Sequence, residues 1–488
     1  MIVEDVFPFE GRGTVVTGLR GPDPKLARKG TAIELRAPTD VCFRNSIADM
    51  ELLRKGRLSK DPPKVLGLLL TSPVPSISLP EEQKYSYMPK YLTSENLIWI
   101  TAWLFVTFAI PKAWLQRRLL GFFIGLLAIP FLSPSKARAA DTLDVELKRI
   151  QTEHKLPALA GLMMQDGKIV VQEATGVRKS GSPEAVTIND QWHIGSCTKS
   201  MTATLAALFV EQGKIKWETT VSDIFPEWQK EMPDGWRGVT LAQLLTHSSG
   251  APGEPPADLW AQAWKKIGSP TEQRLAFVHG LLTRPQQAPA GSKFIYSNQG
   301  YAIAGAMLER ISGKPWEILM REMLFGPLDM KSAGFGEPAS LGQVDQPWGH
   351  TGKNGEWKPI PPGPGADNPP SIGPAGTVHC SLSDLARYAG IHGLGEKDGW
   401  GALKPETFAK LHTPPAGQDY AMGWGIAERP WAAGKALTHT GSNTMFFTDV
   451  WVAPKKNAVF VSATNVGGDE AAKACDEVIA AMIQHYLK

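Results

Sequence analysis

The chain has 488 residues, 43% of them hydrophobic and 20% charged, with a formal net charge of +3. That balance excludes a wholly disordered or fibrous protein, and at roughly 100–200 residues per domain it allows two or three folded units. The charge is unevenly spread, about +7 over residues 1–139 and about −4 over the remainder, so the basic excess belongs to the front segment and a nucleic-acid role has no support.

Residues 1–90 are rich in Pro, Gly and basic side chains without sustained periodicity, and residues 1–110 are expected to form a poorly structured extension. Two apolar runs follow, Leu97–Ile110 and Leu119–Leu132. Lys112, Arg117 and Arg118 precede the second run and Ala137-Arg138-Ala139 follows it, the order of a basic region, an apolar stretch and a small-x-small cleavage site. Residues 111–139 are therefore expected to act as a signal peptide or a retained membrane anchor, making the protein periplasmic, secreted or membrane-anchored. A run of about fourteen residues is short for crossing the hydrocarbon core, which favours cleavage. Because signal peptides sit near the true N-terminus, translation is expected to start well downstream of Met1, and a mature end upstream of Leu119 would refute that.

From residue 140 to 488 the pattern is that of one folded domain. Asp144–His154 reads as a helix, and Ala158–Gln165 and Lys168–Thr175 as strands joined by the hairpin signal Asp166-Gly167. Helical patterns then dominate, with Met201–Gln212, Leu241–Thr246, Gln299–Ile311 and Leu382–Ile391 separated by Gly/Pro loops, the longest being Pro359–Gly376. Strands return at Ala436–Thr440, Phe446–Val452 and Ala458–Thr464, before an amphipathic helix at Glu470–Leu487. The predicted class is α+β: both ends of this region build one antiparallel sheet flanked by helices, and a mainly helical subdomain is inserted between them. A cleft between the two parts is the expected site.

Three short patterns carry chemistry. Ser196-Cys197-Thr198-Lys199 opens the first long helix, where positions i and i+3 share a face, so the Lys amine can reach the Ser hydroxyl as its base. The helix N-terminus adds N–H groups where an acyl oxygen turns negative. Ser133-Pro134-Ser135-Lys136 matches the same pattern by chance. Tyr296-Ser297-Asn298 is the second pattern: a phenol near a lysine can have its pKa lowered and shuttle protons, and the Asn amide can bond both lysine and substrate. Read blandly, the Tyr closes a loop and the Asn caps the next helix. The third is His439-Thr440-Gly441, chosen over His350-Thr351-Gly352 because it ends a strand pattern and leads into another, whereas the earlier triplet lies in a loop-rich stretch. There Gly441 permits close backbone approach, Ser442 N–H can be a second oxyanion donor, and His439 and Thr440 can hold a substrate carboxylate.

In this order the three patterns resemble the penicillin-recognising serine enzymes: class C β-lactamases, low-molecular-mass D-alanyl-D-alanine carboxypeptidases, D-aminopeptidases and related carboxylesterases. The resemblance spans Leu143 to Leu487 and includes Leu241–Gly250, Pro327-Leu328-Asp329-Met330, Pro374-Ala375-Gly376-Thr377 and Tyr420–Gly425. It implies an acyl-enzyme mechanism without metal or other cofactor. Ser196 would be the nucleophile, Lys199 and Tyr296 would manage its proton, and Asn298 would position substrate, with the Ser196 and Ser442 N–H groups as the oxyanion hole. The implied partner is a small peptide, ester or β-lactam. One departure stands out: most class C β-lactamases carry Lys where this chain has His439, the His-Thr-Gly form resembles that of some D,D-carboxypeptidases and peptidases, and a neutral imidazole attracts a β-lactam carboxylate less. The rival reading is a penicillin-binding sensor or scaffold that acylates without turnover.

The other polar candidates read as structural. No two of the ten histidines are spaced as metal ligands usually are. Of the four cysteines, Cys197, Cys380 and Cys475 fall after residue 140 without a CxxC, so any disulfide among them leaves one thiol free. His247, in Thr246-His247-Ser248-Ser249-Gly250, is expected to close a helix, with Gly250 as its stop.

Overall fold

The computed structural model describes residues 134–487, with side chains from Thr142 onward, and five strands before residue 71. The chain divides into two compact units, residues 1–127 and 128–488. In the first, where little regular structure is expected, Asp5–Phe9, Gly13–Thr17, Gly67–Leu70, Cys42–Glu51 and Ala32–Arg36 pair in that spatial order as an antiparallel sheet. The apolar runs Leu97–Ile110 and Leu119–Leu132 lie outside the described residues. Among the described residues no helix is long and apolar enough to cross a membrane.

The second unit opens with helix α1 (Pro134–Glu153). It starts ten residues before the predicted one and runs through Ala137-Arg138-Ala139, an Ala-rich stretch that favours helix. Leu143, Leu147 and Ile150 form its buried stripe. Strands β1 (Ala158–Gln165) and β2 (Lys168–Gly176) form the predicted hairpin, with φ of +51° at Asp166 and +71° at Gly167 giving the turn its left-handed pair.

A small central sheet holds β3 (Gln191–His193), and β4 (Val378–Ser381) pairs between it and Gly334–Phe335. Helices α2 (Thr198–Glu211), α3 (Asn298–Ser312) and α4 (Leu382–Asp398) belong to the helical middle of the chain. β5 (Gly425–Arg429), β6 (Gly434–Ser442), β7 (Phe447–Ala453) and β8 (Ala458–Thr464) then return to the main sheet, and α5 (Asp469–Tyr486) closes the unit. The main sheet is six-stranded and antiparallel, in the order β5-β6-β7-β8-β1-β2. As predicted, its early and late halves meet where β8 pairs with β1.

Strand alternation gives the sheet two buried faces. Leu159 and Met163 of β1 and Phe460 of β8 join α1 and α5 in one core, while Ala160 and Leu162 with Val459 and Val461 join the larger core around α2. α2 is buried on every side from Thr198 to Phe209, so the residues at its start sit deep in the molecule.

Candidate active site

The backbone around Ser196 is held by two glycines. Gly195 takes φ +46° and begins a single 3₁₀ turn, Gly195–Cys197, that feeds α2. A Cβ on Gly195 would lie 2.2 Å from the Ser442 nitrogen, and one on Gly441 would lie 2.0 Å from the Ile194 oxygen and 2.7 Å from the Ser196 nitrogen. Only glycines let β6 lie this close to the turn. The amides of Ser196 and Ser442 are thereby brought side by side.

Lys199, one turn along, is wholly buried. Its Nζ lies 3.0 Å from Ser196 Oγ, 2.7 Å from Asn298 Oδ1 and 2.9 Å from the Ala375 carbonyl. Burial pulls its pKa down to about 7. The two carbonyl oxygens can only accept, so a neutral amine gives them its two N–H bonds and offers its lone pair to the one partner with a proton, the Ser196 hydroxyl.

Tyr296 places its ring centroid 4.7 Å from Lys199 Nζ, with its hydroxyl close to the Ser196 side chain. The residue is partly exposed, but burial around the hydroxyl pushes its pKa up. The lowered phenol pKa expected from the sequence is therefore corrected: desolvation outweighs any help from a lysine that is itself held near neutrality. Asn298 is not the helix cap either; Ser297 is, its Oγ accepting from Gly300 N–H at 3.2 Å, which frees the Asn298 amide for Lys199.

His439 corrects a second expectation. It is 8% exposed, its Nε2 pairs with the Tyr420 hydroxyl at 3.0 Å and its Nδ1 with the Thr440 carbonyl at 2.5 Å. Burial, then the nearby Lys199, lowers its pKa to about 3. Both ring nitrogens are engaged and the ring is neutral, so it supplies no cation to a substrate carboxylate. Thr440 and Ser442 are exposed on the strand. Ser442 Oγ braces the next turn, donating to the Phe446 carbonyl at 2.6 Å and accepting from Thr444 N–H at 2.9 Å.

The other triplet stands elsewhere. His350–Lys353 is a strand rather than a loop, paired with Glu356–Pro359 in a two-stranded ribbon whose turn residues Asn354 and Gly355 have positive φ. His350 is buried there, its Nδ1 against the Asn465 carbonyl at 2.9 Å and its Nε2 accepting from Ser180 N–H at 3.0 Å.

Two site neighbours were not singled out from sequence as part of it. His247, at φ +57°, packs its ring 4.4 Å from that of Tyr296 and 4.8 Å from that of Tyr420 by centroid, and its Nδ1 accepts from Ser297 N–H at 3.1 Å. Tyr420, from the Tyr420–Gly425 stretch, is the partner of His439. Cys197, Cys380 and Cys475 are buried free thiols, and burial raises the pKa of each.

The sequence model of the family described as Beta-lactamase matches residues 143–482. The chain belongs to the β-lactamase family. It is 30% identical over 329 residues to penicillin-binding protein 4 of Amycolatopsis lactamdurans, covering 65% of this chain and 83% of that protein. With the D-alanyl-D-alanine-carboxypeptidase/endopeptidase AmpH of Escherichia coli it shares 28% identity over 174 residues, covering 36% of this chain and 44% of AmpH. The octameric penicillin-binding protein homologue from Pyrococcus abyssi superimposes with a TM-score of 0.58 at 24% identity, over 70% of this chain and 77% of that one. SurE superimposes with a TM-score of 0.59 at 21% identity, over 72% and 77%. At these identities the structural likeness is one of fold, the α+β β-lactamase/transpeptidase-like fold. Membership places the chain in a serine hydrolase family.

Proposed function

We propose that this protein is an exported serine hydrolase that forms an acyl-enzyme on ester or amide substrates. The observation that carries the reading is the buried Lys199 amine, near neutrality and 3.0 Å from Ser196 Oγ, with its other two contacts to oxygens that can only accept. Ser196 Oγ attacks the acyl carbon as its proton passes to Lys199 Nζ. The bond to the leaving group breaks, and the neutral Tyr296 hydroxyl relays the proton to the departing oxygen or nitrogen. The developing oxyanion sits between the Ser196 and Ser442 N–H groups. Water then cleaves the Ser196 ester by the same proton path in reverse.

The neutral His439 supports uncharged esters and amides over carboxylate-bearing β-lactams. Export rests on residues 111–139 of the sequence and is tested by N-terminal sequencing of the protein recovered outside the cytoplasm. The mechanism is tested by mass spectrometry after incubation with an activated ester, a penicillin and a D-Ala-D-Ala peptide. Transient adducts on Ser196 with released product support a hydrolase, and a persistent penicillin adduct without turnover supports the sensor reading. If no reagent acylates Ser196, the proposal fails.

A further inference from the structure

Asp367 lies in the long loop before α4, only 2% exposed, and the chemistry above makes no use of it. Its Oδ1 accepts from Asn368 N–H at 2.7 Å and from Asn443 Nδ2 at 3.2 Å, and lies 2.9 Å from His193 Nε2, a close contact outside hydrogen-bond geometry that leaves Nε2 without a hydrogen-bond partner among the described residues. Oδ2 has no hydrogen-bond partner among the described residues. A buried carboxylate with few partners is costly unless what it organises repays the cost.

Its two side-chain contacts lead to the two oxyanion amides. On one branch, His193 Nδ1 accepts from Gly195 N–H at 3.1 Å, at the left-handed residue directly before Ser196. With Nδ1 accepting, a neutral ring carries its proton on Nε2, the nitrogen nearest Asp367. On the other branch, Asn443 Oδ1 accepts from Met445 N–H at 3.1 Å and Phe446 N–H at 3.0 Å, fixing the turn that Ser442 Oγ also braces. The loop is anchored in turn by Lys266 Nζ, which donates to the carbonyls of Pro364 at 2.6 Å and Asp367 at 3.0 Å.

We infer that Asp367 is a positioning residue of the oxyanion hole, setting the spacing of the Ser196 and Ser442 amides through His193 on one side and Asn443 on the other. The inference rests on the reading of those amides as the oxyanion hole. It separates this role from simple support of the fold, because a misplaced donor weakens transition-state binding more than substrate binding.

The test uses the full chain, a ¹³C-carbonyl activated ester, steady-state kinetics and infrared spectroscopy of the trapped acyl-enzyme. Asp367→Asn and Asn443→Ala are each expected to lower kcat about tenfold to a hundredfold with KM within about threefold. Both should move the acyl carbonyl stretch to higher wavenumber, since the carbonyl is less polarised. The double variant should be little worse than the poorer single one. Should Asp367→Asn fail to fold, Asn443→Ala, which leaves the contact between Asp367 and His193 intact, gives the same readout. A lower melting temperature with unchanged kcat and carbonyl stretch would overturn the inference alone. Absence of any acyl band in the unaltered protein would overturn the acyl-enzyme reading, and this inference with it.

Discussion

The lysine sets the pH behaviour. On the proposed mechanism Lys199 acts as a base and must be neutral, and its amine is held at about 7 by burial, so kcat/KM for a neutral ester should rise with pH along a limb centred near 7. A limb near the ordinary lysine value of about 10.4 would contradict this. Ser196→Ala should cut ester hydrolysis by orders of magnitude, and Ser133→Ala should change nothing. Because Lys199 and Tyr296 both contact Ser196, combining Lys199→Ala with Tyr296→Phe should cost little more than the worse single change, as kinetics of all three variants would show. His439 has its pKa near 3, so its titration should leave KM for anionic substrates flat between about pH 5.5 and 8, a span around the ordinary imidazole value. The pairing of Ser196 with Lys199 was legible because side-chain chemistry at i, i+3 is local, whereas Tyr296 was legible only through the order of the three patterns along the chain. Their protonation was not, since it depends on walls built by residues such as Tyr301, Tyr420 and His247, which come from segments far apart in the chain. The Ala375 carbonyl left no side-chain signal at all.

At the scale of elements, β6 and the 3₁₀ turn are interlocked through Gly195 and Gly441. The atoms facing a Cβ at 441 are backbone, which cannot swing aside. Gly441→Ala should therefore push the strand off the turn and lower kcat by about a hundredfold or more, comparable to loss of an oxyanion donor, while circular dichroism stays native. The glycine in His439-Thr440-Gly441 was readable as a close approach; its counterpart at 195 was not, since nothing local marks its positive φ. β7 carries a different liability. Asp449 is buried, Trp451 Nε1 donates to its Oδ2 at 3.3 Å, and its Oδ1 has no hydrogen-bond partner among the described residues. Burial raises its pKa to about 7. A raised folded-state pKa means that the folded protein holds a proton that the unfolded chain has released above about pH 4. Its contribution is thus greatest below about pH 4 and is lost as pH climbs through 7. Asp449→Asn should remove that slope, at most about 1.4 kcal/mol per pH unit, and raise the denaturation midpoint at pH 8 relative to the unaltered protein.

For the whole molecule, the strand–helix–strand order of the sequence was enough to place both ends of residues 140–488 in one sheet, because apolar, β-leaning runs at each end cannot bury their faces separately. The start of α1 and the strands before residue 71 escaped that reading, the former through Ala-rich propensity and the latter because four of the five are only four or five residues long. Every residue assigned to the site or to its support lies between His193 and Phe446, and the sheet around it between Ala158 and Thr464. A chain beginning at Ala128 is accordingly expected to keep kcat/KM within about twofold, an outcome that ester kinetics on both lengths would check. The pairing of β1 with β8 also orders events in time. Those strands are separated by nearly the whole domain, and contacts of such sequence separation form late and slowly. During synthesis at about 5–20 residues per second, Ser196 leaves the ribosome well before Ser442. On the proposed mechanism the nascent chain therefore passes through an interval in which Ser196 exists without the Ser442 amide, and hydrolytic competence would arrive only with the last strands.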